Sequence, residues 1–286
     1  MISIIICSKD PRQLSLVVGN IRETIGIPYE IIAIENSSGK YGIGEAYNNG
    51  AKKAKYKYLC FIHEDIEFSN VGWGRNIISH FKDEELGLIG VAGSSYKSKI
   101  PSGWGGIQQF DYCNVYQEDK ASDFSHLYSN PRNEEISRVV VLDGVFLAVQ
   151  KKVWEEVNFD QDIFTGFHCY DLDFSLRVLD HYEVAVVYDI VIRHFSVGRF
   201  DNEWLRWSLI LQKKFKHKLP VFIQDYGKIN ITKSDFQIFK FWGQRIFMAG
   251  NIGVFYEMRW LLGSLFVLME NVWLSYKRRR SKSLIS

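Results

Sequence analysis

Tyr58-Leu59-Cys60-Phe61-Ile62-His63-Glu64-Asp65 runs five apolar residues straight into a His-Glu-Asp cluster. An unbroken apolar run of this kind suits a strand covered on both faces, as in parallel sheets. The same grammar recurs upstream. Ile2-Ser3-Ile4-Ile5-Ile6-Cys7 closes on Ser8-Lys9-Asp10-Pro11, and Tyr29 to Ile34 closes on Glu35-Asn36. Between those two strands Leu14, Val17, Val18, Ile21 and Ile25 recur at helical spacing, and Gly26 and Pro28 stop the helix. Before Tyr58, Gly42 and Gly44 open a small-residue helix through Ala46, Ala51 and Ala54. Repeated strand–helix–strand units predict an α/β fold with a mostly parallel, doubly wound sheet.

Downstream, Leu86 to Ala92 reads as a fourth strand. The stretch from Gly93 to about Asn133 is rich in Gly, Ser, Tyr and Asn and predicts a long irregular segment of the sort used for binding loops or lids. Strand character returns at Val139 to Leu142 and Val145 to Val149, a helix fits about Tyr170 to His181, and Val184 to Tyr188 and Ile190 to His194 read as extended. From Asn202 onward the pattern is helical and aromatic.

With 286 residues, 47% of them hydrophobic, the chain can bury a large core, which excludes a disordered protein. No uncharged apolar stretch is long enough to span a bilayer, and Ile2 to Cys7 is too short for a signal peptide, so a cytoplasmic protein is expected. Cys7, Cys60, Cys113 and Cys169 are too scattered for a disulfide framework or a zinc knuckle. The overall charge is +2, but Lys277, Arg278, Arg279, Arg280 and Lys282 carry five positive charges at the end, leaving −3 for the rest. A slightly acidic body argues against a nucleic-acid partner.

Ligands of open α/β sheets sit beyond the carboxyl ends of the strands. The polar residues there are Ser8, Glu35, Asn36, His63, Glu64, Asp65 and His194. Strand-end carboxylates with a distant histidine folding back suit a divalent cation that binds phosphate oxygens; a solvated acidic turn is the plain alternative.

The order of these pieces resembles the family 2 glycosyltransferases of the GT-A fold, over roughly residues 2 to 198. Ile2 to Asp10 is similar to the opening strand and its polar turn. Ile31-Ile32-Ala33-Ile34-Glu35-Asn36-Ser37-Ser38 is similar to the strand whose acidic end binds the nucleoside, and Gly42-Ile43-Gly44-Glu45-Ala46-Tyr47-Asn48-Asn49-Gly50 to the glycine-rich turn and helix that follow. His63-Glu64-Asp65 stands in the place of the D-x-D motif. Gly144-Val145-Phe146-Leu147-Ala148-Val149 resembles the strand before the acceptor-side helix, with Gly144 open either to close approach of the donor sugar or to a plain bulge. Tyr170-Asp171-Leu172-Asp173-Phe174-Ser175-Leu176-Arg177 resembles the E-D-x-D-x-x-x-R segment that carries the catalytic base.

The resemblance implies a nucleotide-sugar half over residues 1–100, an acceptor half over 101–198 and a helical, aromatic-rich extension over 199–286. It implies an inverting, hexosyltransferase-type enzyme with a divalent cation, Mn²⁺ or Mg²⁺, on Asp65 and His194, and Asp171 as base. The near-terminal position of Asp171 in its helix would keep it ionised at neutral pH. Ser8, Glu35, Asn36, His63, Glu64, Asp65 and Gly144 would line the donor side, with Glu35 favouring a UDP- or dTDP-sugar. Trp104, flanked by glycines, and Asp173 would serve a saccharide or lipid-linked acceptor in surface polysaccharide biosynthesis. Trp104 reads equally as a packed loop anchor, and Asp173 as a helix cap or a partner of Arg177.

Two residues depart from the family pattern: His63 replaces the first Asp of D-x-D, and Tyr170 replaces Glu. His63 reads either as a donor to a ribose or pyrophosphate oxygen or as a satisfied strand-end histidine. These departures are what favours a non-catalytic carbohydrate-binding protein. A nucleotidyltransferase is the enzymatic rival, although Ser8-Lys9-Asp10-Pro11-Arg12 lacks the glycines of its activation loop. Residues 241–286, with Trp242, Trp260 and Trp273 beside the basic end, are open to peripheral contact with the inner face of a membrane, to packing on the catalytic sheet, or to a homodimer.

Overall fold

The computed structural model of the chain describes residues 1–118, 123–196, 198, 200–226 and 229–248. Strand β1 (Ile2–Ser8) leads to α1 (Pro11–Thr24), where the Asp10 side chain accepts the Arg12 N–H and Pro11 occupies the first turn. Then come β2 (Tyr29–Glu35), α2 (Ile43–Ala51), β3 (Tyr58–Ile62), β4 (Ile66–Phe68), α3 (Trp73–His80) and β5 (Leu86–Gly90).

Segment 92–142 holds β6 (Ala92–Ser94), β7 (Tyr96–Lys97), β8 (Asp111–Glu118), β9 (Phe124–Ser129), β10 (Ile136–Val139) and β11 (Val141–Leu142). The rest consists of β12 (Phe146–Gln150), α4 (Lys151–Val157), α5 (Tyr170–Val178), β13 (Glu183–Val187), β14 (Ile192–His194), α6 (Asn202–Lys214), β15 (Val221–Phe222) and α7 (Ile231–Met248).

The central sheet has the order β10-β13-β5-β12-β3-β1-β2. β1 pairs in parallel with β2 and β3, β13 pairs in parallel with β5, and β12 is antiparallel to both β3 and β5. Five strands therefore share one direction, and only β12 and β10 oppose it. The unbroken apolar runs are explained by the two cores they feed. Ile2, Ile4, Ile6, Cys60 and Ile62 belong to one cluster, whereas Ile5, Leu59 and Phe61 belong to another. Alternate residues of each strand thus point to opposite covered faces. Trp73 is buried in packing, its ring stacked at 3.9 Å on Phe68.

The expectation of an irregular segment from Gly93 to Asn133 is corrected in part. The stretch between β7 and β8 is irregular, but β6, β8 and β9 belong to a second sheet, in the order β11-β6-β8-β14-β4 with β9 on β8. Its polar composition hid the strands because the polar residues are paired inside the sheet. Asn114 donates to the Tyr188 carbonyl at 2.7 Å and its oxygen lies 2.8 Å from His126 Nε2. β14 joins β8 to β4 and so carries His194 back beside the residues that follow β3.

Helices α6 and α7 pack onto the chain after β7: Trp204, Leu205, Ile238 and Trp242 share a core with Tyr96, Ile100, Ile107 and Phe110. Among the described residues no helix is long and apolar enough to cross a membrane. Trp260, Trp273 and the Lys277 to Lys282 cluster, on which the membrane and dimer readings rest, lie outside the described residues.

Candidate active site

The carboxyl ends of β1, β2 and β3 open on a cleft of about 420 Å³ lined by Lys9, Asn36, Tyr41, His63, Glu64 and Asp65, among others. Ser8 is buried, and its carbonyl accepts the Asn36 N–H at 2.7 Å. The buried Asn36 side chain clamps the next loop, donating to the Tyr41 carbonyl at 2.8 Å and accepting the Tyr41 N–H at 2.9 Å. Glu64 accepts the backbone N–H groups of Lys9 and Asp10 at 2.9 and 3.1 Å, tying the turn after β1 to the end of β3. These three residues shape the cleft mainly through its backbone.

Glu35 is not among the residues that line it. Its exposed carboxylate turns back onto its own loop and accepts the Ser37 N–H at 2.8 Å and the Ser37 hydroxyl, contacts that hold it below the usual carboxylate range. Lys9, which the sequence reading left without a role, does line the cleft. Its signal was a basic residue directly after a central strand.

At the border of the cleft His63, Asp65 and His194 each offer a ligand atom, all within 4.8 Å of one another. Asp65 Oδ1 lies 3.8 Å from His63 Nδ1 and 3.6 Å from His194 Nε2. His194 Nδ1 lies 3.1 Å from Gln117 Oε1, and His63 Nε2 lies 3.0 Å from the Tyr170 hydroxyl. The expected pair, Asp65 and His194, therefore comes together and gains a third member. Two imidazoles and a carboxylate form a donor set that suits a divalent cation.

Beyond His63 lies a second cavity of about 300 Å³, lined by Trp104, Asp143, Gly144, Asp171, His194, Phe200, Trp204 and Trp242, among others. His63 and Phe167 line both cavities. Asp171 accepts the Gly144 N–H at 2.9 Å and the Leu172 N–H at 2.9 Å. Burial, followed by the charge of Asp143, pushes its carboxyl up to about 7, so desolvation outweighs the helix start expected to keep it ionised. Gly144 is dictated by Tyr170: a Cβ there would sit 2.1 Å from the Tyr170 hydroxyl.

Asp173 is not among the residues lining either cavity. Its side chain is fully buried and accepts Arg177 Nε at 2.8 Å and Lys214 Nζ at 2.5 Å, which fastens α5 to α6. An acceptor role for Asp173 is replaced by this structural one, because both oxygens already have cationic partners. Trp104, in contrast, lines the second cavity half-buried. Trp204, Trp242, Phe200, Asp143 and Tyr170 were missed as site residues. Trp242 Nε1 donates to the Gly105 carbonyl at 2.8 Å, so α7 reaches the Trp104 loop from 137 positions away, too far for any local pattern to reveal.

The fold is that of GT-A glycosyltransferases. A mannosyltransferase from Pyrobaculum calidifontis, solved with GDP-Man and Mn²⁺, aligns with a TM-score of 0.52 and 11% identity over 93% of this chain and 80% of its own. GalNAc-T7, solved with UDP, GalNAc and Mn²⁺, aligns with a TM-score of 0.51 and 11% identity over 83% of this chain and 53% of its own. TarS 1-349 of S. aureus, solved with UDP, aligns with a TM-score of 0.50 and 10% identity over 86% of this chain and 71% of its own. A comparison with the curated proteins finds no match. Over residues 3–218 the sequence matches the family described as "Glycosyltransferase like family", and the chain belongs to that family.

Proposed function

We propose that the protein is an inverting, metal-dependent glycosyltransferase that moves a sugar from a nucleotide-sugar donor in the first cleft to an acceptor hydroxyl in the second cavity. The observation that carries this reading is the junction of the two cavities at His63, where the cation group straddles the boundary: Asp65 lines the first cleft, and His194 lines the second cavity together with Asp171. In such a transfer the diphosphate leaves as the acceptor oxygen attacks from the opposite face of the sugar. The two partners must meet across a narrow boundary.

His63, Asp65 and His194 would hold the cation, which when bound neutralises the charge growing on the leaving diphosphate. Lys9, on the same cleft, adds a positive charge toward the phosphates. Asp171 takes the proton of the attacking hydroxyl. Its pKa of about 7 makes it a stronger base than an ordinary carboxylate, while a substantial fraction remains ionised at neutral pH. Trp104, Trp204 and Trp242 supply apolar faces for sugar C–H groups and keep water away from the reacting centre.

Preference for a UDP- or dTDP-sugar rested on Glu35, and its engagement with Ser37 removes that support. The neighbours in fold were solved with GDP-mannose and with UDP, so either base is a candidate. A saccharide or lipid-linked acceptor in surface polysaccharide assembly, at the inner face of a membrane, completes the proposal.

The test is a panel of UDP-, dTDP- and GDP-sugars incubated with acceptor saccharides, with Mn²⁺, with Mg²⁺ and with chelator. The product's anomeric configuration is then read by NMR. Cation-dependent transfer with inversion is expected. Retention would overturn the role of Asp171, and donor binding without transfer or hydrolysis would favour the carbohydrate-binding alternative.

A further inference from the structure

The two departures from the family pattern, His63 and Tyr170, touch each other at 3.0 Å. Tyr170 has one hydroxyl proton, and the Gly144 carbonyl 3.1 Å away can only accept it. Toward His63 the Tyr170 oxygen is therefore the acceptor, and His63 must carry its proton on Nε2. This leaves Nδ1 bare, directed at Asp65 Oδ1.

The same logic holds for His194. The Gln117 amide nitrogen donates to the Ser196 carbonyl at 2.5 Å, which orients its Oε1 as the acceptor for His194 Nδ1–H at 3.1 Å. Nε2 of His194 then carries no proton; its lone pair accepts the Ser196 hydroxyl at 3.1 Å, a neutral contact that a cation would displace, and Asp65 Oδ1 lies 3.6 Å away. Two unprotonated imidazole nitrogens thus face one carboxylate oxygen, farther off than hydrogen bonds reach. A donor set arranged in this way suits a cation.

We propose that Tyr170 is a positioning residue that locks His63 in the tautomer needed to bind the cation through Nδ1, so that the His63–Tyr170 pair supplies the third protein ligand in place of the family's usual acid. The inference rests on the cation part of the function proposed above. Gly144 belongs to the same device, because its carbonyl takes the Tyr170 proton and its missing side chain makes room for the hydroxyl. Hydrogen-bonded partners of this kind hold a ligating histidine's ring orientation and tautomer, and removing one typically lowers metal affinity about 10–100-fold.

The full chain, stripped of metal with chelator, is titrated with Mn²⁺ alone by calorimetry, and pulsed EPR counts imidazole nitrogens on the bound ion. Two coupled imidazoles are expected in the unaltered protein; one or none overturns the proposal. Tyr170→Phe keeps the ring and should weaken Mn²⁺ binding about 10–100-fold. In a His63→Asp background the same change should alter Mn²⁺ binding less than about twofold, since a carboxylate has no tautomer to hold. Equal losses in both backgrounds, or no loss in either, would overturn it. If Tyr170→Phe does not fold, the imidazole count on the unaltered protein decides. Mn²⁺ bound by both imidazoles without sugar transfer from any donor would sink the transferase reading and leave this assignment standing.

Discussion

Asp171 Oδ2 accepts the Gly144 N–H at 2.9 Å, which holds the proposed base against the backbone that also carries Asp143. Burial and this neighbouring acid raise the Asp171 carboxyl to about 7. A base must be ionised to act, so turnover should rise with pH through about 7 and level off above it. Asp171→Asn should lower turnover by about two to four orders of magnitude and leave donor affinity near that of the unaltered protein. Steady-state kinetics with donor calorimetry check both halves; a fall in donor affinity alone would count against the assignment.

Asp143 offers a gentler probe of the same carboxylate. Its Oδ1 accepts the Val145 N–H at 2.9 Å, a contact an amide oxygen can keep. Asp143→Asn removes the like charge that helps raise Asp171, so the acid limb of the turnover profile should move to lower pH. A limb that stays in place or moves upward would mean that Asp143 does not act on the base electrostatically.

Asp65 faces both imidazoles and is the group's only carboxylate. Asp65→Ala should abolish Mn²⁺-dependent binding of the donor, because the diphosphate would no longer meet a full cation site. His194→Ala should weaken it less, since a neutral ligand is lost. With two imidazoles in the donor set, Mn²⁺ should also outperform Mg²⁺ at equal concentration. Thermal shift with each ion, with and without donor, measures this order.

Trp104 lines the second cavity from a loop that Trp242 holds through the Gly105 carbonyl. Losing a sugar-stacking face costs about 1–2 kcal/mol, so Trp104→Ala should raise the acceptor KM by about tenfold and leave donor affinity unchanged. Parallel loss of donor affinity would point to collapse of the site instead.

Asp173 makes the contrasting case. Its side chain is fully buried between Arg177 and Lys214, and breaking such a pair leaves cations without their partner. Both cations keep some access to water, so Asp173→Asn should cost about 2–3 kcal/mol of stability rather than the larger value of a wholly buried pair. Chemical denaturation measures it, and the protein that remains folded should transfer sugar at an undiminished rate.

The order of strands and helices was legible in the chain because β1, β3 and β5 are covered on both faces, and a strand so placed is apolar at nearly every position. Strand-end polarity marked Asn36, His63, Asp65 and His194 because the chain leaves the sheet there, at the edge where ligands of open α/β sheets bind. The second sheet escaped notice because Asn114, His126 and Gln117 satisfy one another and their surroundings in pairs that no linear pattern encodes. Asp173 and Asp171, two residues apart, have opposite fates, and only the docking of α6 decides it by bringing Lys214 to one of them. The local sequence thus determined which segments are buried and where chemistry could sit, since burial and periodicity are properties of neighbouring residues. Which side chains share a cavity, which nitrogen of His63 meets Tyr170 and how far Asp171 is raised were decided by tertiary structure, because hydrogen-bond partners and desolvation depend on residues distant in the chain.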